Sequence, residues 1–375
     1  MKPLTNPFVI GKYVSKDYFC DREKESELLV HHIVNGRNVT IMSERRLGKT
    51  GLIEHVFTDL LSKEYITFLI DIYTCKNLRE MVYLLAVEVF KKIARRQSFL
   101  ERMLQVVRSI KPTISYDPIS GLPEFGLSLG EIQQPEVTLD ELLNYLEDTD
   151  SICIIAIDEF QKIATFEEQN IEALLRTKIQ HLKHTQFVFA GSERHLLENI
   201  FSDPQRPFYN SVVFMQLLPI EKDTYVRFCQ QQFQSFNKTV SNTLISHLYD
   251  SFQGITWYLQ LSMNEAFTMV ERGQHLADDA YTTILNHLVD SKRFTFEDRY
   301  ASLTEKQKTV LMAIASEFPK PVTLTSQTFI SKYSLKTASS VQTAVKGLIE
   351  KGIVSDYHGI KRPTDLLFIF WLKKF

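Results

Sequence analysis

The 375-residue chain has few of the features that mark secreted, metal-structured or membrane proteins. It carries only four cysteines, Cys20, Cys75, Cys153 and Cys229, with no Cys-x-x-Cys pair and no metal-ligand spacing. A disulfide framework and a structural zinc site are therefore excluded, and reduced thiols are expected. No apolar run approaches the roughly 18 residues a membrane span requires. The opening Met-Lys-Pro-Leu-Thr-Asn-Pro-Phe has no apolar signal-peptide core. A cytoplasmic location is expected. The net charge of −2 gives no bulk attraction to nucleic acid, so any basic surface has to be local. The Asn-Lys-x-Asp pattern with which GTPases read their base is also missing, which argues against that class. With 44% hydrophobic and 23% charged residues, there is material for two or three globular domains.

One stretch organises the rest. Val39 to Met42 reads as a short buried strand, Ser43 to Leu47 as a polar turn, and Gly48-Lys49-Thr50 opens a helical pattern through Leu52, Ile53, Val56, Leu60 and Leu61. Strand, turn, Gly-Lys-Thr and helix in that order are the parts of a phosphate-binding loop. Backbone N–H groups at a helix N-terminus point at an anion, and the helix dipole favours negative charge there. Ser43, Arg45, Arg46, Leu47, Gly48, Lys49, Thr50 and Gly51 are the candidate nucleotide-binding residues. Lys49 would reach the β- and γ-phosphates and the Thr50 hydroxyl would ligate Mg²⁺. Ser43 stands where the usual motif has its first glycine, a substitution that demands ordinary backbone angles or some strain.

The partner motif is Ser151-Ile-Cys-Ile-Ile-Ala-Ile-Asp-Glu-Phe. Its six apolar residues fit a strand buried on both faces, with Asp158 and Glu159 at the C-terminal end, where ligands bind in open α/β sheets. Asp158 would hold Mg²⁺ through water and Glu159 would polarise the attacking water as general base. A further strand, Tyr65 to Ile72, lies between the two motifs in sequence. That strand, and a glutamate directly after the aspartate, mark the P-loop branch that hydrolyses nucleotide with its own acidic base. Phe187 to Ala190 and Val212 to Leu217 complete five strands. Ser192, after the fourth, is a candidate for touching the γ-phosphate or its water, and equally for capping a helix from His195 to Ile200.

Between and after these strands the pattern is mostly helical. Asp21 is a plausible cap for a helix to Val34, and the aromatic lead-in before it fits either a nucleotide base or edge packing. Helices are expected over Leu78 to Arg96, over Leu139 to Leu146 with Thr138 or Asp140 as cap, and over Asn170 to Leu182. Residues 111–136, with Pro112, Pro118 and Gly121 among others, read as a loop or small inserted hairpin. Glu221 to Lys292 is helical throughout. From Thr304 onward, helices over Glu305 to Glu317, Ser326 to Tyr333 and Ala338 to Lys351 precede extended stretches at Gly352 to Tyr357 and Leu366 to Phe370, joined by His358-Gly-Ile-Lys-Arg-Pro. Three helices and a hairpin make a winged helix-turn-helix.

The C-terminal part is basic. From residue 301 onward there are eleven Lys or Arg against five Asp or Glu. Ser339, Ser340, Gln342, Thr343 and Lys346 line the polar side of the third helix, and Lys361 and Arg362 lie on the wing. These residues are the candidate DNA contacts. The alternative is packing on a protein surface, which the terminal Phe368, Phe370, Trp371 and Phe375 favour.

The chain resembles the archaeal-type AAA+ ATPases, a family close to the STAND signalling ATPases and to archaeal origin-recognition initiators. The resemblance spans almost the whole chain. It rests on Asn-Pro-Phe, Phe19-Cys-Asp-Arg22-Glu23, Arg45-Arg46-Leu-Gly48-Lys49-Thr50, Ile157-Asp158-Glu159-Phe160-Gln161, Gly191-Ser192, Arg206-Pro-Phe-Tyr, Gly254-Ile-Thr-Trp, and a winged helix ending in Asp365 to Leu372. It implies a five-stranded parallel AAA+ core over 1–218, a helical lid over 219–295 and a winged-helix domain over 296–375. It also implies Phe19 and Arg22 near the adenine, and catalytic roles for Lys49, Asp158, Glu159 and Ser192. Thr256 departs from the family's lid motif, Gly-x-Pro, by replacing the proline. Arg176, Arg194 and Arg206 are candidates for an arginine finger. The expected activity is a slow, Mg²⁺-dependent ATPase acting as a switch, with ATP and ADP as ligands and the winged helix as output. The other readings are a DNA-binding protein shaped by its nucleotide and a signalling or defence scaffold that recruits a protein or self-associates.

Overall fold

A computed structural model describes residues 4–93, 107–109, 113–116, 123–126, 129–357 and 360–374. Arg96, Pro112, Pro118, Gly121, His358 and Phe375 fall outside the described residues. The chain divides into two compact units. One holds Val9–Phe228 and Gly254–Tyr258; the other holds Met1–Phe8, Cys229–Gln253 and Leu259–Phe375.

The first unit is built on β1 (Val39–Ser43), β2 (Tyr65–Asp71), a small antiparallel hairpin of β3 (Thr113–Tyr116) and β4 (Pro123–Gly126), then β5 (Ile152–Asp158), β6 (Thr185–Gly191) and β7 (Val213–Leu217). Five strands form one sheet in the order β2-β5-β6-β1-β7, all parallel. The five strands expected of the core are all present. Helices separate them in sequence, and parallel neighbours need such crossovers. β1, β5 and β6 are buried along nearly their full length, as central strands of a parallel sheet covered on both faces are. Asn38 fastens the N-terminal end of the sheet: its side-chain oxygen accepts from the Phe187 N–H and its backbone oxygen from the Val213 N–H, both at 2.8 Å.

Behind the C-terminal end of β5 lies a nest of Phe160, Phe189, Phe201 and Phe208, each essentially inaccessible to solvent. Their centroids are separated by 4.4 to 5.8 Å, in tilted, stacked and edge-on arrangements. Phe160 directly follows Glu159, so this packing sets where the acidic motif emerges from the sheet.

Local structure departs from expectation at several helix starts. Asp21 is not a cap. The capping position is Arg22, and both residues are left-handed, with φ of 52° and 71°. The helix expected from Leu139 begins at Pro135, whose missing N–H is harmless in a first turn. Thr138 is therefore inside that helix and donates back to the Gln134 carbonyl at 3.1 Å. The helix Arg194–Ser202 is preceded by Glu193, so Ser192 does not cap it.

In the second unit the helical pattern is interrupted by two short strands, β8 (Thr239–Val240) and β9 (His275–Leu276), paired in parallel. The winged region has helices Glu305–Glu317, Gln327–Lys332 and Ala338–Glu350, the first and third closed at their N-termini by capping boxes at Thr304 and Thr337. Gly352, at φ 66°, turns the chain into an antiparallel hairpin of β10 (Val354–Tyr357) and β11 (Ile360–Pro363). Leu366 to Phe370, expected to be extended, belongs instead to a helix, Leu366–Leu372, started by the Asp365 carboxylate accepting from the Leu367 N–H. Its buried Phe368 and Trp371 pack on Phe296, and Phe370 meets Phe252. Among the described residues no helix is long and apolar enough to cross a membrane.

Replacing Phe189 with Ala should cost about 3–5 kcal/mol, the usual loss for a fully buried aromatic. Urea unfolding, with an unchanged denaturant slope, checks it.

Candidate active site

The loop after β1 brings its cation onto the acids at the end of β5. Lys49 Nζ lies 3.1 Å from Asp158 Oδ1 and 3.4 Å from Glu159 Oε1. The Thr50 hydroxyl donates to the other Asp158 oxygen at 2.5 Å. Ser192, from the turn after β6, donates to Glu159 Oε2 at 2.9 Å. Lys49 and Asp158 are both buried, so each neutralises a partner that could not sit there alone. Burial pushes the Glu159 carboxyl up, but the Lys49 charge and the hydrogen bonds from Gln161, Ser192 and Lys49 outweigh it and hold the group below the ordinary carboxylate range.

The loop itself is held in shape from behind. Ser43 lies buried at the end of β1 with ordinary backbone angles, and its hydroxyl donates to the Glu44 carbonyl. The left-handed turns fall later, on Arg46 (φ 71°) and Gly48 (φ 87°), so the missing first glycine costs no strain at Ser43. Arg22, expected beside the base, is buried and spends its guanidinium on structure. It donates to the Leu47 carbonyl at 3.1 Å, to the Leu218 carbonyl at 2.6 Å and to Glu25 at 2.7 Å.

Phe19 packs on the loop helix: a Cβ added at Gly51 would lie 3.5 Å from its ring. Around it are His55, at 4.9 Å between ring centroids, and Tyr13, at 5.4 Å. The Tyr13 hydroxyl and His55 Nδ1 both meet Asp59. Asp59 lies in the π-helical turn Val56–Leu60 that continues the loop helix Lys49–His55.

Thr256, the residue in place of the proline, has a definite partner. Its hydroxyl donates to the Leu47 carbonyl at 3.3 Å, and the Trp257 N–H donates to the Arg46 carbonyl at 3.0 Å. The Arg46 guanidinium lies over the rings of Trp257 and Tyr258, 4.7 and 5.1 Å from their centroids. Gly254–Tyr258 and the loop belong to the same unit, and these bonds bind them directly.

Of the arginine-finger candidates, Arg206 is paired with Glu172 and Arg194 with Glu198. It is Arg45 that approaches the site, its Nε 3.4 Å from the Ser192 hydroxyl.

Two residues were not assigned to the site from the sequence. Asp71 ends β2 directly beside Asp158. Burial and the neighbouring Asp158 and Glu159 carboxylates raise its pKa, against a backbone hydrogen bond from Tyr73 and the Lys49 charge. Its position at a strand's C-terminal end was the available signal. Gln161, almost wholly buried, donates to Glu159 Oε2 at 2.5 Å. It was visible as part of Asp-Glu-Phe-Gln, but nothing in the pattern said where its amide pointed.

Residues 294–374 match the family model described as a probable winged helix domain. Over the whole chain, the Walker-type ATPase of Pyrococcus abyssi superposes with a TM-score of 0.64, at 19% identity, covering 98% of this chain and 99% of that one. The ORC2 protein of Aeropyrum pernix, solved as ADPNP–ADP complexes, gives 0.60 at 14% identity, covering 98% and 95%. This is the AAA+ ATPase fold. The Aeropyrum pernix ORC1 protein, solved in complex with DNA, gives 0.50 at 14% identity over 95% and 92%. No curated protein matches the sequence. In this AAA+ core the strand standing between β1 and β5 is β6, whereas β2 lies outside β5 at the sheet edge. The strand that separates the lysine from the acids is thus the one that carries Ser192 at its end.

Arg22→Ala would leave two carbonyls without their charged donor. We expect a loss of about 2–3 kcal/mol of stability, measured by chemical unfolding in the absence of nucleotide.

Proposed function

We propose that the protein is an ATP-binding, slowly ATP-hydrolysing molecular switch of the AAA+/STAND type, with the winged helix as its output. The observation that carries this reading is the convergence of Lys49, Thr50, Asp158, Glu159 and Ser192, from three separate strand ends, on one point. Its functional parts are the core over 1–218, the lid over 219–295 and the winged helix over 296–375.

The backbone of Ser43 to Gly51 would wrap the phosphates, with Arg45 and Arg46 adding positive charge and Phe19 bordering the nucleoside. Lys49 would move from the two carboxylates to the β- and γ-phosphates. The Thr50 hydroxyl and the Asp158 carboxylate are hard oxygen donors side by side, which suits Mg²⁺. Among the described residues no set of three His, Cys, Asp or Glu forms a cage, and Mg²⁺ held by few protein ligands plus phosphates needs none. Bound there, it would neutralise charge on the phosphate oxygens. Once Lys49 has moved, Glu159 is free to accept a proton from the attacking water. The water oxygen bonds to the γ-phosphorus, the bond to the β,γ-bridging oxygen breaks, and ADP and inorganic phosphate result. Ser192 would hold the γ-phosphate or that water, and Arg45, touching Ser192, would follow it. The ADPNP–ADP complexes of the ORC2 protein support nucleotide as the ligand.

A second reading, DNA binding, is favoured by the exposed face of the third winged helix. Gln342 and Thr343 are exposed there, and the Lys346 side chain is 80% exposed. Ser340 is drawn into the capping box with Thr337, Lys361 is paired with Asp356, and Arg362 donates to Gln253 at 3.4 Å. Those three, and Lys346 from its 4.0 Å pairing with Glu350, would have to change partners to reach a phosphate.

Lys49→Ala should abolish measurable nucleotide binding, and Glu159→Gln should lower turnover by about 10²- to 10⁴-fold while leaving nucleotide affinity. A phosphate-release assay with titration calorimetry decides; a wild type no faster than either variant ends the ATPase reading. For DNA, Lys346→Ala should weaken binding to every sequence alike and reduce the salt slope by about one. A slope that does not change counts against DNA contact by that helix.

A further inference from the structure

Glu159 is held by three groups. Lys49 approaches Oε1 at 3.4 Å, and Ser192 and Gln161 donate to Oε2 at 2.9 and 2.5 Å. Two of the three are groups that bound phosphate would claim. Gln161 is the exception. It lies two residues along, in the 3₁₀ turn Phe160–Thr165, and is 1% exposed. Its amide has one usable orientation, because a flipped amide would set its carbonyl oxygen against the carboxylate. The side-chain carbonyl oxygen then faces away, buried and, among the described residues, without a hydrogen-bond partner. A buried acceptor left in that state costs free energy, so the bond on the other side of the amide has to justify it.

The neighbouring strand is shaped around this side chain. A Cβ added at Gly191 would lie 2.0 Å from Gln161 Oε1 and 2.8 Å from Leu197 Cδ1. Gly191 has no left-handed backbone angle to explain it; glycine at the end of β6 leaves the room in which the glutamine sits. Glu159 itself is left-handed at φ 56°, a conformation that a non-glycine residue keeps only when its surroundings impose it.

We propose that Gln161 is the positioning residue for Glu159, and that Gly191 is the clearance that lets it act. When nucleotide draws Lys49 and Ser192 away, the Gln161 N–H remains on Oε2 and leaves Oε1 turned toward the attacking water. Gln161 touches no substrate and works only through the glutamate. The inference rests on the ATPase reading above.

The test uses the full chain with three variants: Gln161→Leu, Gly191→Ala and the double. Steady-state ATPase gives kcat and KM, and titration calorimetry gives ATP and ADP affinity. Gln161→Leu should lower kcat about tenfold to hundredfold, the scale of a misaimed reacting group, with KM and both affinities within about twofold of wild type. Gly191→Ala should do the same by displacing the amide. The double variant should be no slower than either single, since both remove one interaction. If Gln161→Leu fails to fold, Gly191→Ala decides alone. A merely structural role would move KM and affinity together with kcat, and would overturn the proposal. Unchanged kcat in both single variants, with wild-type turnover above that of Glu159→Gln, would overturn it and leave the ATPase reading standing. Wild-type turnover no greater than Glu159→Gln would remove both.

Discussion

One ammonium group shared by two carboxylates is the constraint on which the site depends. Lys49 sits in the loop after β1, and Asp158 and Glu159 at the end of β5, with β6 between them in the sheet. A charge at such depth is tolerable only with a partner and hydrogen bonds. The sheet order, the phenylalanine nest behind Glu159 and the Arg22 brace behind the loop all hold the pair at that separation. The balance is not neutral: two acids face one lysine, and Asp71 lies close enough to have its proton affinity raised by them. Two carboxylates against one ammonium at the base of the site suit a divalent cation brought in with a polyphosphate.

What the sequence made legible follows from how local each signal is. The five strands were readable because each is a short apolar or β-branched run ending in a turn, and three of them carry their chemistry at the C-terminal end or in the turn beyond it. The Gly-Lys-Thr and Asp-Glu motifs were readable for the same reason. The C-terminal Leu-Leu-Phe-Ile-Phe-Trp-Leu was misread because a short run that is apolar at every position has no period, so strand and buried helix look alike. Asp365, whose carboxylate opens that helix, was the signal that discriminates them. Helix starts were misplaced where the chain enters through a left-handed residue such as Arg22, or through Pro135, and not through a polar cap.

The parts of the site that stayed hidden are those made by contacts between distant segments. Nothing within the sequence around Arg22 indicates that its guanidinium reaches Leu47 and Leu218. Thr256 looked like a defect in a lid motif, yet its hydroxyl supplies a hydrogen bond to the loop that proline has no donor to make. Gln161 and Gly191 are each unremarkable alone; their relation exists only once β6 lies beside β5.

The stack of Arg46 on Trp257 gives the molecule a built-in optical reporter. The chain has just two tryptophans, and one of them lies against the backbone turn that would receive phosphate. The other, Trp371, lies in the C-terminal helix, stacked with Phe368 of the same helix and against Phe296 of the helix Arg293–Ala301. An indole stacked on a guanidinium is sensitive to that cation's position, so part of the intrinsic fluorescence is tied to the loop.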